Sequence, residues 1–136
     1  MELAADIRQT AGILLIAIVA VEWGGWHLLR VVRGTVARTE FQEKFERAGH
    51  AHAAVFLVLA LVALLYADAI GTSGPVGWIA RNGVPIAAIL MPAGFFFSAA
   101  GRGRTAPNRF IILIYLGLVS LTLGVVALGV SLLTSL

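Results

Sequence analysis

The chain has 136 residues, of which 60% are hydrophobic and 12% charged, with a net charge of +3 and a mean hydropathy of +0.94. A soluble domain of this size could not hide so much apolar surface, so the chain falls in the membrane class. Cysteine is absent, which excludes disulfides, thiolate metal sites and cysteine nucleophiles. The basic surplus sits in short connections between apolar runs, where bilayer topology accounts for it without nucleic acid.

Four apolar runs, about 10–32, 50–70, 76–100 and 109–133, each come close to the roughly 20 residues that a helix needs to cross hydrocarbon. They predict an all-α polytopic protein: one integral membrane domain over residues 1–136, a bundle of four transmembrane helices, assembled as an oligomer.

The first run begins with "MELAADIRQT", two acids against one arginine, and ends with the basic "HLLRVVRG". That polarity is the reverse of a secretory signal, so the run is expected to stay as a span. Glu22 lies near its middle, where an ionisable group is costly and must be protonated or paired; it is a candidate functional residue. His27 follows five residues later, about 7 Å along the axis. Trp23 and Trp26 either pack or wall a cofactor.

The connection from Arg30 to Arg47 has more basic than acidic residues, and Arg102, Arg104 and Arg109 make the third connection wholly basic. The positive-inside rule then places both basic loops in the cytoplasm and both termini outside the cytoplasmic membrane. Within the first connection, Thr39 followed by Gln42 has the spacing of a capping box. Glu40/Lys44 and Glu43/Arg47 stand at i,i+4. The second helix is therefore expected to start near Glu40, before the membrane, with Phe41, Phe45, Ala48 and His52 on one face.

The stretch "RAGHAHAAVFL" (47–57) puts two histidines at the start of the second run. Inward-facing His52 has two readings: a histidine at a helix mouth bonding to a carbonyl or water, or a ligand for haem iron or another metal, for which neutral imidazole is the usual choice. His50 shares its face with Glu43 and Glu46, so a surface ion pair with Glu46 is expected there. The second helix enters from the side on which the first leaves, so Glu22, His27, His50 and His52 are expected to converge. Downstream, "DAIGTSGPVGW" (68–78) reads as a turn, Pro85 and Pro92 as bends in the third span, and Gly117, Ser120 and Gly124 as a surface for close helix approach. No phosphate-binding glycine loop is present.

Three short stretches carry a resemblance. "AHAA" (51–54) lies at the mouth of the second span, "GFFFS" (94–98) closes the third, and "PNR" (107–109) leads into the fourth, with a looser match at Gly25–Trp26. In these the chain resembles the membrane-embedded styrene oxide isomerases, small four-helix proteins. The resemblance implies a haem b held between subunits of a homotrimer, with His52 as the iron ligand and His50 as the fallback. Trp26 and Phe96 would then lie at the cofactor. It also implies a ferric iron acting as Lewis acid on a small apolar epoxide, with a 1,2-hydride shift to an aldehyde. The family's substrate-orienting tyrosine and asparagine fall on Phe96 and Val58, so any polar group at the epoxide would have to come from elsewhere, Glu22 and His27 being the candidates. Two further readings are a small oligomeric transporter or channel using Glu22 and His27 as a proton or cation site, and a non-catalytic assembly subunit.

Overall fold

The structure, a computed structural model, describes residues 3–135. It is all-helical: α1 (Ala5–Val32), α2 (Glu40–Ala69), α3 (Gly74–Ala99) and α4 (Ile112–Thr134), with a short 3-10 turn at Arg109–Ile111 leading into α4. All four helices are long and apolar enough to cross a membrane. The expected bundle of four candidate spans is present, and α2 starts at Glu40.

That start has a local cause. The Thr39 hydroxyl accepts from the Gln42 N–H while the Gln42 side chain accepts from the Thr39 N–H, completing the capping box. The same hydroxyl donates to the Arg104 carbonyl. Both predicted ion pairs on the exposed face form, Glu40–Lys44 and Glu43–Arg47. Hydrogen bonding to the Lys44 ammonium, with its charge, holds the Glu40 carboxyl below its ordinary value.

Gln42 is also the main polar tie at the basic end. Its amide nitrogen donates to the carbonyls of Ala99 (2.9 Å) and Gly101 (2.7 Å), at the end of α3 and just beyond. The side chain is buried, so Gln42→Ala would leave two carbonyls and the Thr39 N–H short of partners. The expected cost is about 2 kcal/mol, to be read as a lowered thermal midpoint in detergent micelles.

The helices lie antiparallel to their sequence neighbours. α3 packs tightly on α4 and on α2, α1 packs mainly on α2, and α1 does not meet α4. The core is built from small residues, with Ala60, Ala63, Ala67, Ala80, Ala87 and Ala88 all buried. Between helices in lipid, where burial of apolar groups supplies no driving force, small side chains let backbones approach and dispersion and hydrogen bonds hold them. The stripe on α4 does this within one chain: the Ser120 hydroxyl donates to the Gly83 carbonyl at 2.8 Å, and Gly124 lies on the Gly83 backbone. α3 runs through Pro85 and Pro92 as one helix, with both prolines buried.

The packing of α1 is sparser. Of its 28 residues only Ile7 and Leu14 are buried, and its polar ties lie at its two ends. At one end the Ala4 N–H donates to Asp68 (3.2 Å) and Asp6 pairs with Arg81 (3.4 Å). At the other, His27 meets Glu46.

Candidate functional site

The histidines of α2 are separated by their position around the helix. Two residues at 3.6 per turn set His50 and His52 about 160° apart, so they serve different surfaces. His50 lies under Gly24 and Gly25 of α1, where a Cβ at either glycine would stand within 3.3 Å of the imidazole. With Phe96, Pro92, Ala53 and Val21 it lines a cavity of about 280 Å³ between α1, α2 and α3, and among the described residues it is the only polar side chain there. Its expected partner is taken: the two Glu46 oxygens bind His27 Nε2 (3.0 Å) and Arg38 Nε (2.7 Å). The predicted His50–Glu46 pair is therefore replaced by an Arg38–Glu46–His27 group. The physical reason is that buried Glu46 points at α1 where His27 descends, while His50 falls one turn deeper among apolar groups.

His52 sits on the opposite flank of α2, half-buried. Its Nδ1 is 2.7 Å from the Ala48 carbonyl. A carbonyl can only accept, so Nδ1 carries a proton, and in the neutral imidazole Nε2 keeps its lone pair. This is the tautomer of a metal-ligating histidine, whose second nitrogen is fixed by an oxygen of the protein. Phe95 and Phe56 hold the ring from two sides, with centroids at 4.9 and 5.3 Å. His52 then lines a shallow groove with Ala51, Val55 and Phe56, and among the described residues nothing bonds to its Nε2.

The expected face of α2 is real: Phe41 stacks on Phe45 and Phe45 on Phe95, next to His52. Sequence reasoning singled out Phe96, but it is Phe95 that supports His52; Phe96 packs on Gly49 and faces the His50 cavity. No signal in "GFFFS" separates the two, because their roles depend on the rotation of α3. The other stretches of the resemblance have structural work as well. A Cβ at Gly94 would stand 2.7 Å from the Ile114 backbone nitrogen. Asn108 caps the turn before α4 through Phe110 N–H (2.8 Å) and donates to the Phe97 carbonyl (2.9 Å).

The four ionisable residues do not converge. Among the described residues no group of three or more His, Asp or Glu side chains is placed to hold a metal ion. Five residues set Glu22 and His27 about 140° apart around α1. His27 turns to Glu46, whereas Glu22 is exposed on the far side of α1, beside exposed Trp23 and Trp26. Trp26 meets Trp23 edge-on at 6.0 Å and carries the Arg30 guanidinium over its ring at 5.0 Å. Among the described residues the arrangement offers separate histidines and no metal-holding cluster of carboxylates and histidines. No family model, curated protein or solved structure matches the chain.

Proposed function

We propose that the chain is a haem b-binding protein of the cytoplasmic membrane, in which His52 would hold the iron and small apolar epoxides would be the substrates for isomerisation. The observation that supports it most is the state of His52: Nδ1 bound to the Ala48 carbonyl, the ring held by Phe95 and Phe56, and Nε2 without a hydrogen bond among the described residues. A ligand on an outward flank of α2 suits a cofactor shared between copies, in keeping with a homotrimer. Bound ferric haem would supply a Lewis acid for the epoxide oxygen. The chain's own part is to fix the imidazole tautomer, to exclude water with Ala51, Val55 and Phe56, and to admit an apolar substrate from the bilayer. On this reading the basic loops, including Arg102 and Arg104, face the cytoplasm.

The cavity at His50, about 280 Å³ between α1, α2 and α3, suits a small apolar molecule; the groove at His52 is about 200 Å³ within one copy, so a porphyrin there needs the second copy that the homotrimer supplies. A transport path through both Glu22 and His27 would have to pass between copies, because the two diverge around α1.

The test is an ultraviolet-visible spectrum of the detergent-purified chain, expressed with ample haem supply, oxidised and then reduced. The expected result is a Soret band with redox-sensitive visible bands at near-stoichiometric haem, followed by aldehyde formation from a panel of aryl and alkyl epoxides. A colourless protein under these conditions overturns the haem reading.

A further inference from the structure

Glu22 raises a problem that one copy of the chain does not solve. It lies twelve residues after Thr10 and ten before Val32, about 15 Å from the latter along the axis, so it is well inside the apolar span. Its side chain is exposed, and among the described residues it makes no ion pair or hydrogen bond. The cation nearest along the same strip, Arg30, stacks on Trp26 instead. An ionised carboxylate facing lipid at this depth is disfavoured by several kcal/mol, and a protonated one still leaves its hydrogen-bonding atoms unpaired, so such residues face protein or water instead. Something polar must cover it.

The level of Glu22 identifies that partner. Ala4 is level with Asp68, Gly24 and Gly25 with His50, and His27 with Glu46. Each step along α1 is thus one step back along α2, which sets Glu22 level with the turn Ala51–Ala53. Two histidines stand at this level with ring nitrogens that no described residue bonds: His50, which faces the cavity between α1, α2 and α3, and His52, whose Nε2 lies on the other flank of α2; only the second is on a surface that a neighbouring copy can reach. Within one copy Glu22 and His52 cannot meet, since His52 lies on the flank of α2 that faces Phe95 of α3, while Glu22 lies on the side of α1 turned away from the bundle. Between copies that share one membrane orientation, equal depth brings them to the same height. The two surfaces also match in character: exposed Val19, Trp23 and Trp26 on one, exposed Val55, Val58 and Val62 on the other.

We propose that a second copy of this chain covers Glu22, seating the carboxyl of one copy opposite the His52 face of the next. The contact is heterologous, joining two different surfaces, and so builds a ring when its rotation closes. The inference goes beyond the haem reading and stands without it: it sets Glu22 of one copy against the groove beside His52 of the next, a contact that requires the two faces to meet and does not require Nε2 itself, which on the haem reading holds iron.

The lack of native cysteine permits a clean test. Val19→Cys and Val55→Cys, each three residues from Glu22 or His52 on an exposed position, are co-expressed with different tags in the full chain and oxidised in native membranes. The expected product is a mixed disulfide dimer, several-fold more abundant than the dimer from either variant alone. Adding Glu22→Lys to the Val19→Cys chain is expected to lower the mixed dimer several-fold. A dominant Val19→Cys homodimer would mean that α1 pairs with itself, and overturns the proposal. So does absence of the mixed dimer when both thiols label with a maleimide, or a yield that Glu22→Lys leaves unchanged. Haem content, read separately by its spectrum, keeps the two readings apart: a mixed dimer in colourless protein sinks only the haem reading, and haem without the mixed dimer sinks only this one.

Discussion

His52→Ala is expected to abolish haem retention, lowering the Soret absorbance of purified protein at least tenfold, while His50→Ala retains it. The contrast follows from the two environments. His52 has one nitrogen committed to the Ala48 carbonyl and a ring clamped by two phenylalanines, so its lone pair is aimed before a ligand arrives and little conformational freedom is lost on binding. His50 has no such brace and faces a cavity between α1, α2 and α3 of its own copy rather than an outer flank. An unchanged spectrum in His52→Ala would show the ligand assignment to be wrong. Loss of haem in His50→Ala alone would move it to the other flank of α2. Neither substitution touches the α3/α4 contact, so both variants should run at the wild-type elution volume in detergent.

The largest effect on assembly is expected from Gly124→Val. A Cβ at residue 124 would lie 2.8 Å from the Gly83 Cα and from the Val84 nitrogen, and backbone on both sides cannot move aside as a flexible side chain would. The Ser120 hydroxyl, which reaches the Gly83 carbonyl from the same helix face, would be pulled away with it. The cost is put at about 3 kcal/mol or more, the upper end of overpacking in a tight core. It should appear as aggregation on size-exclusion chromatography in mild detergent. Gly129→Val is the matched control: a Cβ there has nothing within 4 Å, so wild-type behaviour is expected. If both variants behave alike, the close approach of α3 and α4 is not what holds the bundle.

Much of the fold could be read from residue order. The spans follow from run length, the start of α2 from Thr39 and Gln42, and the close-packing stripe from Gly117, Ser120 and Gly124. What those residues could not reveal was their partners, because nothing in the third run marks Gly83 or Met91 as the positions that Gly124 and Gly117 meet until α3 is set against α4. The site was legible in its residue types but not in its pairing. Glu46 and His50 are four apart and look like natural partners along one helix, yet the tertiary contact with His27 and Arg38 takes both Glu46 oxygens. Likewise, Phe95 and Phe96 differ by about 100° around α3, a phase that no short motif records. Glu22 was conspicuous as an acid in an apolar run, but its direction depends on which side of α1 meets α2.

The polar ties of α1 also fix a length. Between Asp6, joined to Arg81, and His27, joined to Glu46, lie about 32 Å of helix at 1.5 Å per residue, close to the roughly 30 Å of a typical hydrocarbon layer. With both ends fastened to neighbouring helices, α1 cannot adapt to a thinner layer by tilting alone. The bundle must tilt as a unit or the lipid must stretch to meet it, so the protein is matched to membranes of ordinary thickness.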